Sequence, residues 1–298
     1  MEGKYVAYVG TYTHENSVGI HIYDVDELRG TLTERKVVPI NNPSDLIVSH
    51  SGKYLYSIAD EGVEAFVIQP DGDLIPINKK WIGGMRGCYV ELDDEDRYLF
   101  VGGYHDGRVS MMRLSEDGGV AEIADGIFHK GLGRGVAERA SRPHVHCVKV
   151  TPDQKFLCAV DSGLDHVKIY RINYERGRIK LADILRCELD SYVLCELKNT
   201  VDVYKYYVED DQPVFERVQS ISTDYEDEGI ACNASGIEHS ADGKYLFVSN
   251  VGINDVIIYK IDKNTGMLTL DMETRISGDY PKALAVFPDG HHFVSLNH

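Results

Sequence analysis

The sequence predicts an all-β protein, a seven-bladed β-propeller built from four-stranded antiparallel blades. Segments of similar pattern recur at a spacing of roughly 45 residues, and each holds about four short strands, which is the unit of a propeller blade. Helical periodicity is nearly absent. A β-sandwich array is the alternative, but a regular repeat fits it less well. The similar segments begin at Asn42, Arg86, Arg142, Asn233 and Tyr280.

Each repeat has the same order of elements. A short alternating strand leads through a turn of the SPDGK type to a second strand resembling KYLYV, and a loop then leads to a third strand resembling VxVY. A less regular fourth strand ends the unit. Gly and Asp recur in the turns because tight hairpins need residues that tolerate positive φ.

The N-terminal segment KYVAYVG, from Lys4, has the pattern of a second strand. We therefore expect the first strand of this blade to come from the other end of the chain. Such pairing of the N- and C-terminal strands closes the ring and removes the open sheet edge.

Two places interrupt the repeat. The segment RCELDSYVLCELKNTVDVY lacks a first strand and its turn between Ser191 and Tyr192, and the pattern ends at His298 just after a second strand. We expect one propeller domain over residues 1–298. We also expect further segments between Ser191 and Tyr192 and after His298, which would complete seven blades.

Charge and composition restrict the class of partner. The 298 residues carry a net charge of −17, which argues against nucleic acid or an anionic membrane as the main partner. There is no apolar run near ~18 residues and no signal-peptide pattern at the start. The six cysteines form no CxxC pair, so we expect a reducing cytoplasm. We also expect a monomer or a weak homodimer.

Four motifs, in order along the chain, carry a resemblance that covers essentially its whole length. GTYT, SHSGKYLYS, RPHVHCVKVTPDQKF and CELKNTVDVY are similar to segments of the seven-bladed propeller lactonase family. That family includes bacterial propeller-type 6-phosphogluconolactonases and a fungal carboxymuconate lactonizing enzyme. The resemblance implies hydrolysis of 6-phosphoglucono-δ-lactone, a small anionic sugar lactone, in the oxidative pentose phosphate route, without a metal or other cofactor.

The resemblance also assigns a catalytic pair. His146 is similar in position to the family's histidine, and Glu196 would lie across the cleft as its acid/base partner. An imidazole titrates near pH ~6.5 when unperturbed, so it can move protons at neutral pH. His144 lies on the same strand face as His146 because side chains alternate with period two. For His144 we favour the role of a satisfied polar residue beside the substrate, and for Glu196 a capping role stays open.

Further candidates for substrate binding lie in loops. The segment FHKGLGRGVAERASRPH is basic in an acidic protein, and its Arg139 and Arg142 could grip a phosphate in a bidentate way. Arg86 is a weaker candidate of the same kind. In other blades, four residues stand in the loop equivalent to that of Glu196 and could contact the substrate: Tyr12, Tyr104, Asp161 and Asn250. Any one of them could instead be purely structural.

The sequence departs from the family pattern in its arginines. Val251 and Lys282 stand where the family often has arginine, and another family arginine belongs to the strand that is absent before Tyr192. A carboxymuconate cyclase-like enzyme therefore stays open, as does a propeller that binds a ligand or protein without catalysis. The HVH spacing of His144 and His146 could suit two metal ligands, but no third ligand follows from the sequence, so we expect no metal.

Overall fold

The computed structural model describes residues 5–13, 17–133, 142–186, 193–195, 199–225 and 232–297. The regular elements of these residues are all β-strands. Among the described residues there is no helix long and apolar enough to span a membrane. The chain divides into two compact units, Met1–Val25 with Leu32–Cys187, and Asp26–Thr31 with Glu188–His298.

The first unit holds four antiparallel sheets. The tip of one hairpin, Asp26–Thr31, is counted with the second unit. In every sheet the strands pair in sequence order. The first sheet has three strands and the next three sheets have four each. The strands are β1 (Val6–Val9), β2 (Gly19–Asp26) and β3 (Thr31–Pro39); β4 (Leu46–Val48), β5 (Tyr54–Ala59), β6 (Gly62–Ile68) and β7 (Leu74–Lys80); β8 (Tyr89–Leu92), β9 (Tyr98–Gly103), β10 (Arg108–Leu114) and β11 (Val120–Phe128); and β12 (Val145–Val150), β13 (Phe156–Asp161), β14 (His166–Asn173) and β15 (Arg178–Arg186).

The second unit holds three antiparallel sheets, of three, four and two strands. Its strands are β16 (Val193–Cys195), β17 (Thr200–Glu209) and β18 (Gln212–Ser222); β19 (Asn233–His239), β20 (Tyr245–Val251), β21 (Asp255–Ile261) and β22 (Leu268–Arg275); and β23 (Pro281–Val286) and β24 (Phe293–Asn297).

The described residues thus form seven antiparallel sheets, as expected for an all-β propeller. Among the described residues four of the seven sheets have the four strands predicted for a blade, and the other three have three, three and two. The shorter sheets are the first, the fifth and the last, which are the three places where the sequence pattern lacks strands. The break between Ser191 and Tyr192 lies outside the described residues. Ring closure and the single-domain assignment stay predictions.

The SPDGK-type turns repeat with one geometry. In each turn the backbone N–H of the first residue donates to the carbonyl oxygen five positions later, as from Ser49 to Tyr54 and from Thr151 to Phe156. The fourth position has positive φ every time, which explains why the sequence favours Gly or a short polar residue there. The five residues with this conformation are Gly52, Asp96, Gln154, Gly243 and Gly290.

Apolar layers fill the space between consecutive sheets of each unit. One layer joins the third and fourth sheets through Phe100, Met111, Val148 and Leu157, all of them completely buried. Burying one such side chain stabilises a protein by about 1.5–3 kcal/mol. Alternate residues of a strand enter the layers on its two sides. Because both faces are therefore buried, the sequence of such a strand is a continuous apolar run.

Polar side chains seal the outer seams between sheets. The amide of Asn78, on β7, donates to the carbonyl oxygen of Val120 at 2.9 Å and accepts from its N–H at 3.0 Å. In the second unit, Gln219 makes the same two bonds to Leu268, at 2.7 and 2.6 Å. We call each such amide a seam clamp. It satisfies a backbone N–H and a backbone carbonyl of the last strand of the next sheet, β11 or β22, at the edge where, among the described residues, no further strand pairs with them.

Candidate functional site

The second residue of β12 forms a β-bulge. Val145 pairs with Asp161 and Cys147 pairs with Val160, so His146 is the extra residue between them. A bulge re-aims the side chain of its extra residue, and bulges are frequent beside active sites. Val145 is fully buried, whereas His146 is exposed. The start of β12 therefore presents the His146 imidazole to solvent.

The ring of Tyr104 brings the two predicted histidines together. Tyr104 lies in the hairpin between β9 and β10. Its ring stacks on the His144 ring with 4.3 Å between centroids, and the His146 ring meets it edge-on at 6.0 Å. Both histidines thus share one neighbour. The β-bulge at His146 interrupts the regular alternation on which the prediction of one shared strand face rested, and of the two only His146 is exposed. Three candidate residues from two sheets lie at one place.

His144 is held rigidly beneath this surface. Its side chain is buried, and its Nδ1 lies 2.7 Å from the carbonyl oxygen of Tyr104. A carbonyl oxygen only accepts, so Nδ1 carries the proton. The backbone N–H of His144 donates to Asp161 at 2.9 Å. His144 therefore supports the site, and its exposed neighbour His146 is the imidazole that a solute can reach.

Asp161 organises the loop that follows β13. Besides the His144 N–H, its Oδ1 accepts the backbone N–H groups of Gly163 at 3.2 Å and Leu164 at 3.1 Å. Burial raises the pKa of Asp161, but the hydrogen bonds from His129 and from the His144 backbone outweigh burial and lower it. The carboxylate is ionised and saturated, which favours a structural role over direct contact with substrate.

A buried relay extends from Asp161 away from the surface. Nδ1 of His129 lies 2.6 Å from Asp161, and the hydroxyl of Tyr170 lies 2.9 Å from His129 Nε2. Burial lowers the pKa of His129, partly opposed by the hydrogen bond to Asp161. A neutral His129 donates from Nδ1 and accepts the Tyr170 proton at Nε2. Every member of the relay has a partner.

Arg142 borders the same site. It is exposed, and its Nη1 donates to the carbonyl oxygen of His105 at 2.7 Å. The backbone oxygen of Arg142 lies where a side chain at Gly163 would have to stand, so only glycine fits that turn. The geometry places one guanidinium next to the Tyr104 hairpin, and the phosphate-binding role predicted for Arg142 stays a prediction.

Tyr12 lies elsewhere in the first unit, in the loop between β1 and β2. Its ring is half exposed and supports the guanidinium of Arg86 at 5.3 Å from the centroid. The glycine of the GTYT motif, Gly10, packs so tightly on the Pro43 carbonyl that no larger residue fits. The loop is thereby held against β4, and Tyr12 with it.

Asn250 belongs to the second unit and is completely buried. Its amide nitrogen donates to the Thr223 carbonyl at 2.7 Å and to Asp255 at 2.8 Å across the β20–β21 hairpin. These bonds favour a structural role for Asn250. Glu196 and Arg139 lie outside the described residues, so the predicted pairing of His146 with Glu196 stays a prediction.

Comparison with known proteins decides the family. The family described as "Lactonase, 7-bladed beta-propeller" matches residues 6–298. The chain belongs to this lactonase family. The resemblance read from its motifs is therefore confirmed, and with it the assignment as an all-β propeller.

Relatives of this lactonase-family chain match it over nearly its whole length. A 6-phosphogluconolactonase of Bacillus subtilis (strain 168) is 28% identical over 312 residues, covering 99% of this chain and 88% of the relative. A crystal structure of a protein from Lactobacillus plantarum is 26% identical with a TM-score of 0.87, covering 99% and 89% of the two chains.

A more distant structure shares the fold. The periplasmic gluconolactonase of Pseudomonas aeruginosa is 23% identical with a TM-score of 0.83, covering 98% of this chain and 88% of the other. At this level of identity the likeness concerns the fold alone.

Sequence reasoning missed two features of the candidate site. The bulge at His146 decides which histidine is exposed, and His129 holds Asp161 from below. Neither has a local signal, because a bulge is visible only in the pairing of two strands and His129 is 32 residues from its partner.

Proposed function

We propose that the protein is a lactonase that hydrolyses 6-phosphoglucono-δ-lactone to 6-phosphogluconate, in the oxidative branch of the pentose phosphate pathway. The observation that carries the proposal is the exposed His146 on its bulge, beside Tyr104 and Arg142, in a chain of the lactonase family. The relative from Bacillus subtilis is named for this activity.

His146 acts as the general base in this proposal. It takes a proton from water as the water oxygen attacks the lactone carbonyl carbon. Negative charge develops on the carbonyl oxygen, and Arg142 supplies N–H donors that stabilise it. The bond between the carbonyl carbon and the ring oxygen then breaks. Glu196, the partner that the family resemblance assigns, protonates the departing ring oxygen.

The test is turnover of freshly generated 6-phosphogluconolactone, measured against spontaneous hydrolysis. We expect His146→Ala and Glu196→Gln each to lower kcat by about 10²- to 10⁴-fold, the usual contribution of a general acid or base. His50→Ala is the matched control, because His50 is an exposed histidine at the opposite end of a first strand, paired with Asp96.

A folded wild-type protein that leaves the spontaneous rate unchanged would exclude this function. Turnover of a carboxylated muconate instead would assign the cyclase branch, and ligand binding without turnover would assign a binding propeller.

We place this activity in the cytoplasm. Among the described residues the cysteines Cys88, Cys147, Cys158 and Cys232 are free thiols, which suits a reducing compartment. A monomer or weak homodimer remains the expected state, and sedimentation analysis of the purified protein tests it.

A further inference from the structure

One arginine of the first unit has contacts that leave most of its hydrogen-bonding capacity open. Arg86 precedes β8, and about a quarter of its side chain is exposed. Among the described residues its one hydrogen bond is from Nη1 to Asp60 Oδ1, at 3.3 Å. A guanidinium has five N–H donors. Four donors of Arg86 therefore point to no acceptor within the described part of the chain.

The contact with Asp60 is weak for two reasons. The pair is partly exposed, and solvent and salt screen the attraction between partly exposed charges. The same Oδ1 of Asp60 also accepts a shorter bond, of 2.8 Å, from the amide of Asn42. Asp60 thus orients Arg86 without saturating it.

Tyr12 supports this guanidinium from one side. The ring of Tyr12 lies under Arg86 at 5.3 Å, and a cation over an aromatic face is held by the ring quadrupole. Tyr12 is itself positioned through the GTYT loop, where the N–H of Thr13 donates to Asn42 at 2.9 Å. An arginine that is supported by an aromatic ring and keeps open donors can bind an oxyanion in a bidentate way.

The backbone connects Arg86 to the histidine site. Cys88 follows Arg86 by two residues, and its thiol lies 3.3 Å from the carbonyl oxygen of Val145 and 3.6 Å from that of His146. Two residues span at most about 7 Å, so the backbone of Arg86 starts within a short distance of the β12 bulge. Arg86, which precedes β8, and Arg142, which precedes β12, thus belong to the same region of the first unit as the bulge.

We propose that Arg86, oriented by Tyr12 and Asp60, binds the phosphate group of the substrate and so gives the enzyme its preference for a phosphorylated over an unphosphorylated lactone. This inference rests on the proposed lactonase function. It assigns different roles to the two arginines. Arg142 contacts the lactone end of the substrate, where the reaction takes place, and Arg86 contacts the phosphate end.

The experiment compares two substrates and two products. KM and kcat are measured with 6-phosphogluconolactone and with glucono-δ-lactone for the wild type, Arg86→Ala and Arg86→Lys. We expect Arg86→Ala to raise KM for the phosphorylated lactone by about 10- to 100-fold, the range for a lost charge-assisted hydrogen bond. KM for glucono-δ-lactone should stay the same, and so should kcat. Arg86→Lys keeps the charge and should recover part of the loss.

Arg113→Ala is the matched control. Arg113 also lies over a tyrosine ring, Tyr98 at 5.0 Å, and pairs with a carboxylate, Glu122 at 3.4 Å, but it lies within β10. The Arg113→Ala variant should leave the KM values for both lactones unchanged. Asp60→Asn removes the competing charge beside Arg86 and should lower KM for the phosphorylated lactone.

Equilibrium binding separates this inference from the proposed function. Calorimetry with 6-phosphogluconate and with gluconate should show that Arg86→Ala weakens the binding of 6-phosphogluconate and leaves the binding of gluconate unchanged. If the wild type fails to accelerate lactone hydrolysis but Arg86→Ala still abolishes that preference, the proposed function falls and the phosphate site stands. If Arg86→Ala affects both ligands equally, or neither, the phosphate assignment is wrong while the lactonase can still hold.

Discussion

Nδ1 of His129 lies 2.6 Å from Oδ2 of Asp161, and both side chains are completely inaccessible to solvent. The other carboxylate oxygen of Asp161 holds the backbone of His144, next to the exposed His146. A buried pair therefore sets the position of the histidine site from below. Its strength and its pH dependence can both be measured.

Removing the charge of Asp161 should destabilise the protein. Asp161→Asn replaces a saturated carboxylate by an amide whose NH₂ group would face the N–H of His129. We expect the free energy of unfolding to fall by about 3 kcal/mol, the usual cost of breaking a buried charged pair. Urea denaturation measures it. Asp165→Asn, four residues later in the same loop, is the control. A loss below about 1 kcal/mol would contradict this role.

Mild acid should weaken the fold through His129. Burial lowers the pKa of His129, so below its ordinary value of about 6.5 the unfolded chain binds a proton that the folded chain refuses. Stability is therefore present above that pH and is lost as the pH falls. His129→Gln can still donate to Asp161 and accept from Tyr170 but cannot titrate. Its unfolding free energy should change less between pH 7 and pH 5 than that of the wild type.

Asp45 should have the opposite pH dependence. Burial raises the pKa of Asp45 to about 7, against the hydrogen bond from the Val90 N–H and the charge of Lys149. The folded state then holds a proton that the unfolded chain has released above pH ~4. Stability is complete below that pH and is lost as the pH rises through 7.

Asp45→Asn keeps an acceptor for the Val90 N–H and should remove this loss. Because Asp45 is partly exposed, we expect the variant to gain about 2 kcal/mol over the wild type at pH 8 and little at pH 4. Asp94→Asn, which removes an exposed carboxylate in the turn after β8, controls for the change in net charge. A difference that is the same at both pH values would refute the assignment.

The two histidines of the HVH motif should separate activity from stability. His144→Ala loses a ring stack and a buried hydrogen bond, so we expect about 2 kcal/mol of destabilisation. His146→Ala removes an exposed side chain and should change stability by less than about 0.5 kcal/mol while lowering kcat by about 10²- to 10⁴-fold. Thermal unfolding and lactone turnover of the same preparations check both. Equal effects of the two variants on either quantity would argue against the division.

The seam clamp at Asn78 can be tested with an isosteric change. Asn78→Asp can still accept from the Val120 N–H, but its carboxylate repels the Val120 carbonyl that the amide donated to. We expect a loss of about 1–3 kcal/mol, the cost of leaving a buried acceptor unsatisfied. Asn41→Asp, at an exposed position in the bend after β3, is the control and should be neutral.

Much of the fold could be predicted because its signals are local. Each turn such as Ser49–Tyr54 depends on one residue that tolerates positive φ, and each strand depends on the alternation of its own side chains. The shortened sheets also appear where the sequence pattern breaks. Val201 and Val203, for instance, belong to the third strand that the TVDVY motif predicts, and both are buried.

The candidate site was less predictable because it depends on neighbours distant in the chain. His144 and His146 were assigned to one strand face, and the motif alone did not show which one solvent reaches. Tyr104 and Asp161 were equivalent loop positions in the repeat. In the structure one is a partly exposed ring touching both histidines, whereas the other is buried and saturated.

The sequence alone thus determined the hairpins, the turn positions and the family resemblance, since these follow from backbone preferences within a few residues. The tertiary structure decided that His146 is exposed and His144 is not. One extra residue in β12 shifts the pairing with β13 and turns a side chain outward. The tertiary structure likewise decided that Arg86 rests on Tyr12, because that contact joins residues 74 positions apart, and no local pattern specifies which distant ring a side chain will meet.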